Sequence, residues 1–252
     1  MSLVLISRSA TKLEALASRL TQRHADAPRP IKIRTLALDL ATSWEGNPTY
    51  ASALEDLLKE CHRDGGLGLL FNNAGLSYPH AEYLQYLSHE TVARLVQINA
   101  LSLTTLIRRC LPYMAHRGKG CIMSVGSGSA SVLTADPLYA VYAASKAYVE
   151  SLTRALSVEY ADRGVRVQCV TPLYVATKMS RIRRPSLFAP SPSAYAAAML
   201  RILGRDVVTC AYPPHALMAG VIRRAPSQVI SYLKYRLGLS IRRRAMDKKN
   251  GG

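Results

Sequence analysis

Acidic residues are scarce in this sequence. Asp and Glu number 16 against 33 Lys and Arg, a formal charge of +17. An excess of that size attracts something anionic: a phosphorylated cofactor, a CoA-type substrate, an anionic membrane surface or nucleic acid. Cysteines are few, scattered and odd in number (Cys61, Cys110, Cys121, Cys169, Cys210), with no Cys-x-x-Cys pair and no His/Cys cluster. That excludes a disulfide framework and a zinc site, and it favours reduced thiols in a compartment facing the cytosol. No apolar run reaches the roughly 18 residues that a spanning helix needs. The opening Met-Ser-Leu-Val-Leu-Ile meets Arg8 with neither a basic lead-in nor a small-residue cleavage site, which argues against a signal peptide. A glycine-rich phosphate turn after a strand is also missing, because Gly65-Gly66-Leu67-Gly68 precedes an apolar run instead of following one.

Against these absences stand 252 residues, 49% of them apolar, enough for one domain with a sizeable core. Short apolar runs at residues 3–7, 31–40, 67–71, 121–125 and 165–170 read as buried strands. Between them lie helical patterns near Thr11, at 52–61, at 90–111 (stopped by Pro112) and at 142–160. This alternation predicts an α/β fold, a doubly wound parallel sheet of Rossmann-like type, with ligands beyond the carboxyl ends of the strands. After about residue 180 the pattern loosens into a basic Pro/Ser-rich stretch, Ala-rich helix, a short strand at 207–211 and a basic amphipathic tail. Seven basic side chains and one acid, Asp247, lie between Lys234 and Lys249. The expected organisation is a main domain over 1–212 and a basic amphipathic C-terminal extension over 213–252.

Tyr142-Ala143-Ala144-Ser145-Lys146 opens one of these helices, so phenol and ammonium share a face. Reducing a carbonyl by hydride requires a proton for its oxygen. A tyrosine of pKa about 10 is a poor acid–base at neutral pH unless a nearby cation lowers it. Ser127, directly after a strand, can hydrogen-bond the same oxygen; Ser129, thirteen residues before the tyrosine, competes for that role. Asn72-Asn73-Ala74-Gly75 ends another strand, and Asn99 lies in the long helix.

Taken together these residues resemble the short-chain dehydrogenase/reductase family, over essentially the whole chain. Gly126-Ser127-Gly128, Pro137-Leu138-Tyr139-Ala140-Val141-Tyr142, Pro172 to Met179, Arg181-Ile182-Arg183-Arg184 and Pro214 to Gly220 narrow it further. They are similar to the plant-type very-long-chain 3-oxoacyl-CoA reductase group, itself related to the 17β-hydroxysteroid dehydrogenase 12 group. The resemblance implies NADPH-dependent reduction of a very-long-chain 3-oxoacyl-CoA in fatty-acid elongation. It also implies the cytosolic face of the endoplasmic-reticulum membrane and possible contact with other elongase subunits. Tyr142 is then the proton donor, Lys146 lowers its pKa and holds the nicotinamide ribose, Ser127 orients the carbonyl, and Asn99 positions a relay water.

The same resemblance implies a cofactor path. Arg8 suits a 2′-phosphate and Asp39 the adenine. Asn73, Ala74 and Gly75 pass behind the cofactor beside Tyr142 and Lys146, and Val175 and Thr177 meet the nicotinamide amide. A first strand with a Thr-Gly-x-x-x-Gly-x-Gly turn is expected ahead of residue 1, since the sequence opens at what corresponds to the family's second strand. Residues 1–252 alone are therefore expected to bind NADPH poorly, while the full-length form is expected to be a reductase. Arg181, Arg183 and Arg184 read either as partners for CoA phosphates or as an exposed basic loop. The tail reads as a membrane-surface helix or as an ordinary packed helix followed by a solvated end, and His215 as structural, no metal being expected. The rivals are a 17β-hydroxysteroid or retinoid dehydrogenase and a truncated, non-catalytic membrane-associated subunit. Nucleic-acid binding is disfavoured, because the basic residues are not interleaved with aromatic platforms.

Overall fold

Strand alternation sets the architecture, and the computed structural model, described over residues 2–28, 31–41 and 48–250, follows it. Two compact units are present, Met1–Asp56 and Leu57–Gly252. In the first, β1 (Ser2–Ser7) leads through Arg8 into α1 (Ala10–Arg23), whose N-cap Ser9 accepts from the Lys12 amide. The chain returns as β2 (Lys32–Ala37), parallel to β1 in a register running from Ser2↔Lys32 to Ser7↔Ala37. Leu13 on α1 and Leu38 just after β2 are buried. The division between units falls inside α2 (Pro48–Arg63).

The second unit opens with β3 (Leu69–Asn72), followed by α3 (His89–Val96), a π-helical stretch Gln97–Ser102 and α4 (Leu103–His116). Next come β4 (Gly120–Val125), the single turn α5 (Gly128–Ser131), α6 (Ala140–Glu159) and β5 (Val165–Val170). Then α7 (Pro192–Arg201), β6 (Val208–Thr209), α8 (Pro213–Arg224) and α9 (Ser227–Asn250) complete it. The sheet order is β3-β4-β5-β6, all parallel.

The two-residue period of a strand sorts its side chains to opposite faces. Ile122, Val165, Val167 and Cys169 meet Ile107, Leu111 and Met114 of α4 and Val149 and Leu156 of α6 on one face. Met123 and Val170 meet Tyr195 and Met199 of α7 on the other. Helices cover both faces, so the sheet is parallel and doubly wound.

Three sequence expectations need correction. Pro112 does not stop the long helix, which runs on to His116. A mid-helix proline costs about 3 kcal/mol, but Cys110 and Leu111 before it and Met114 after it are buried in the core. Burying such side chains contributes about 1.5–3 kcal/mol each, which outweighs that cost. The helix expected at 90–111 is also not uniform. It widens through the π-helical stretch, where Ser102 and Thr104 hydroxyls donate to the carbonyls of Ile98 (2.8 Å) and Ala100 (2.9 Å). The short strand expected at 207–211 shrinks to Val208–Thr209.

Residues 213–252 fall in the second unit, where α9 packs along one face and leaves the other exposed. On one face of α9, Lys234 pairs with the buried Asp136 (3.1 Å) and Tyr235 shares a hydrogen bond with Tyr83 (2.9 Å). Further along, Gly238 lies against Leu138, and Arg242 pairs with the buried Glu82 while lying over the rings of Tyr83 and Tyr86. Positions 234, 238 and 242 repeat at helical spacing, which aligns these contacts along one stripe.

Candidate active site

The carboxyl ends of three adjacent strands converge. Register pairs Asn72 of β3 with Ser124 of β4, and Val125 of β4 with Val170 of β5. Asn72-Asn73-Ala74-Gly75, Gly126-Ser127-Gly128 and Pro172 therefore leave the sheet at one edge, where an open α/β sheet takes its ligand. Gly126 has to be small, since a Cβ there would lie 2.7 Å from Cys169 Sγ.

Tyr142 and Lys146 sit one turn apart in α6. That helix begins two residues earlier than its sequence pattern suggested, at Ala140. Its first turn has no side-chain cap of its own. The Tyr78 hydroxyl supplies one by accepting from the Val141 amide at 3.0 Å, and the Tyr78 ring stacks on Tyr139 at 5.4 Å. Just before the helix, Leu138 holds a left-handed backbone (φ 67). A leucine pays about 1–3 kcal/mol for such a conformation and keeps it only when its surroundings fix it. Here the buried side chain packs on Gly238, and the Leu138 carbonyl accepts from the Glu82 amide at 3.0 Å.

Lys146 is 5% exposed, and its ammonium donates to the Val125 carbonyl at 2.8 Å. Burial pushes its pKa down to about 8. Burial also raises the Tyr142 phenol above its ordinary value, opposed by the side chain of Ser127. Lys146 is not among the groups that shift the phenol here; burial is the largest cause, with Ser127 opposing it. One Lys146 N–H is directed at the Val125 carbonyl, and the raised phenol is protonated at neutral pH. That state suits a proton donor. Ser127, rather than Ser129, acts on the phenol; its Oγ also accepts from the Ser129 amide at 3.2 Å as the cap of α5.

Asn99 is buried in the π-helical stretch and bonded on all sides. Its Oδ1 accepts from the Leu76 amide (2.7 Å), and its Nδ2 donates to the Leu76 carbonyl and to Ser145 Oγ (both 2.9 Å). It clamps the turn after β3 to α6. Gly75 completes the packing, for a Cβ there would stand 3.3 Å from Lys146 Nζ and 3.5 Å from Asn99 Oδ1.

This corner fits a dinucleotide ribose. A glycine leaves room in front of a buried ammonium whose only protein hydrogen-bond partner among the described residues is the Val125 carbonyl. Asn73 and Ala74 are exposed beside it. Val175 and Thr177 lie in the loop after β5, where Ser180 Oγ donates to the Val175 carbonyl (2.6 Å) and accepts from the Thr177 amide (3.2 Å). Arg8 and Asp39 lie in the first unit, at the carboxyl ends of β1 and β2. Arg8 is exposed, and Asp39 accepts from the Ala41 amide at 2.9 Å, as a turn-capping aspartate does.

His215 braces the loop after β5. Its Nδ1 accepts from the Leu173 amide (3.3 Å), so its Nε2 donates to the Phe188 carbonyl (3.2 Å), and burial lowers its pKa. Sequence reasoning missed Tyr78, Ser145 and Leu138. Ser145 could have been suspected from its place beside Lys146; nothing in the sequence pointed to Tyr78 or to the backbone of Leu138.

A half-buried proton donor, a facing hydroxyl and a buried ammonium at a sheet's carboxyl edge can reduce a ketone or oxidise an alcohol beside a hydride carrier. The comparisons with known proteins agree. The short chain dehydrogenase profile matches residues 1–187. A very-long-chain 3-oxoacyl-CoA reductase-like protein of Arabidopsis thaliana is 34% identical over 251 residues, spanning 98% of this chain and 76% of the relative. The very-long-chain 3-oxoacyl-CoA reductase of Bos taurus is 34% identical over 250 residues, spanning 98% and 75%. A short-chain dehydrogenase from Sphingobium yanoikuyae, solved in complex with NADPH, matches with a TM-score of 0.69 at 27% identity, covering 87% of this chain and 81% of that one. Motif, geometry and coverage coincide, and the chain belongs to the short-chain dehydrogenase family of oxidoreductases.

Proposed function

We propose that this chain is an NADPH-dependent oxidoreductase that reduces the ketone of a long-chain 3-oxoacyl-CoA to the 3-hydroxyacyl-CoA. The observation that carries the chemistry is the half-buried Tyr142 phenol, with Ser127 acting on it and Lys146 one turn away. The substrate class follows from the reductases to which the chain is 34% identical over 98% of its length. The cofactor reading draws support from the NADPH-bound relative.

A nicotinamide bound beside these residues would supply the hydride. Ser127 and Tyr142 hold the ketone oxygen, and Tyr142 gives it a proton. Lys146 anchors the ribose with the N–H groups not directed at Val125. Asn99 acts as a positioning residue, holding Leu76 and Ser145 and so the floor beneath Lys146. In the first unit, Arg8 and Asp39 are the residues that the family resemblance gives to the adenosine end; in the second, Val175 and Thr177 are those it gives to the nicotinamide amide. The exposed side chains of Tyr174, Met179, Leu187 and Phe188 give the loop after β5 an apolar surface suited to an acyl chain.

Among the described residues no helix is long and apolar enough to cross a membrane. Exposed Leu217 and Val221 on α8, with Val229, Leu233 and Leu237 on α9, are interspersed with arginines. Such a surface suits the interface of an anionic bilayer, and the reading places it there, on the endoplasmic-reticulum membrane.

Parallel kinetics test the function. With NADPH, a long-chain 3-oxoacyl-CoA is expected to be reduced with a kcat/KM at least a hundredfold above that of a 17-ketosteroid, and NADH is expected to serve poorly. A preference for the steroid would overturn the reading.

A further inference from the structure

A cavity of about 850 Å³ opens between the loop after β5 and the last turns of α9. Lys178, Arg181 and Arg183 line it from the loop, Lys248 and Lys249 from the helix, and His80 from the segment after β3. No acidic residue lines it. Among the described residues none of the five Lys and Arg side chains is in an ion pair. One of them, Arg181, is fixed by donating to the Pro79 carbonyl at 2.6 Å, from a left-handed backbone (φ 58). Converging like charges repel, and an anion between them removes that cost. The carbonyl end of α9 contributes only about half a negative charge, so the five cations dominate the field. One phosphate would not need so many; several phosphates on one ligand would.

We propose that this cavity seats the phosphorylated nucleotide head of the CoA thioester, with Lys248, Lys249 and Arg183 as phosphate partners. The proposal rests on the acyl-CoA reading above and adds a place for the part of the substrate that does not react. Thr177 lines the cavity and belongs to the loop assigned to the nicotinamide amide, so the head lies at one end of the loop that meets the reacting centre. Along α9, a rise of about 1.5 Å per residue puts Lys249 roughly 20 Å beyond Lys234, whose Asp136 partner precedes the Tyr142 helix. That separation suits a ligand with a long flexible arm between its thioester and its phosphates.

The test uses the full chain. Affinities for CoA and for dephospho-CoA, which lacks the 3′-phosphate, are measured by calorimetry without turnover. CoA is expected to bind at least tenfold more tightly, with an advantage that shrinks as salt rises. K248Q/K249Q, and separately R183Q, are expected to weaken CoA at least tenfold. A second arm compares a 3-oxoacyl-CoA with the same acyl group on N-acetylcysteamine, which has no nucleotide. K248Q/K249Q is expected to raise KM for the CoA thioester at least tenfold more than for the cysteamine thioester. Equal affinities for CoA and dephospho-CoA, or parallel losses on both thioesters, would overturn the proposal. So would a variant that no longer binds phosphatidylserine vesicles yet binds CoA as wild type does, since the cavity would then serve a lipid headgroup. Failure of the reductase reading has a different signature: neither thioester is reduced, while the CoA affinities still decide the fate of the cavity.

Discussion

Burial moves the two central side chains in opposite directions, toward neutrality in each case. The Tyr142 phenol is raised and the Lys146 ammonium pushed down to about 8. For Tyr142→Phe the expected result is a fall in ketone reduction of about a hundredfold or more, the usual size of a lost acid–base group, measured as kcat with NADPH. For Lys146 the consequence for stability has a definite sign. Between pH 8 and its unfolded value near 10.5, the unfolded chain holds a proton that the folded chain has released, so this residue makes the protein more stable as pH rises through that window. Below pH 8 the buried charge is a full penalty, on the order of a few kcal/mol. Urea unfolding of Lys146→Met should therefore show higher stability than wild type at pH 7, with the gap closing toward pH 10. A gap that widened with pH would contradict the buried ammonium.

At the same scale, the sequence made Tyr142, Lys146, Ser127 and Asn99 visible because each is tied to a short motif at a strand end or helix start. It left Ser127 and Ser129 as rivals, since both hydroxyls follow the same strand, and only the fold turns Ser127 toward the phenol. It did not reveal the balance between burial and charge at Tyr142, because desolvation depends on what packs around a side chain rather than on spacing.

Elements carry the strain that the residues use. Leu138 keeps its left-handed turn because α9 presses Gly238 against it, and a Cβ at 238 would lie 3.0 Å from Leu138 Cδ1. Gly238→Val is thus expected to lower kcat and to reduce the melting temperature together, since displacing α9 frees the turn that starts the Tyr142 helix. Lys234→Met leaves the Asp136 carboxylate, 4% exposed, without its partner. A cost of about 3 kcal/mol is expected at pH 7, read from urea unfolding, and Asp136→Asn combined with it should recover much of the loss. Alternating apolar runs gave away the parallel strands and their order along the chain. The continuation of α4 past Pro112 was hidden, because core burial on both sides of the proline overrides a local breaker. The anchoring of α9 was hidden too: its partners Glu82, Tyr83, Asp136 and Leu138 lie about 100 residues or more away in sequence.

At the scale of the whole molecule, the +17 charge is not spread evenly. It gathers at the loop after β5 and along α8 and α9, where exposed leucines and valines accompany it. The chain is expected to co-sediment with vesicles rich in phosphatidylserine and to release as salt rises past about 0.15 M, where the screening length falls to about 8 Å. Charge composition foretold an anionic partner without saying which. The cavity and the apolar surface separate two candidates that composition merges, a soluble polyphosphate and a lipid surface.

One rod, α9, steadies the turn ahead of Tyr142 near its middle and ends at the basic cavity. A ligand that grips Lys248 and Lys249 better in the seated rod also tightens it against Leu138, and by reciprocity a loosened rod weakens that grip. Nibbling by a carboxypeptidase should then unfold function in stages, with recognition of the carrier failing first and the chemistry surviving until digestion reaches Arg242 and Gly238.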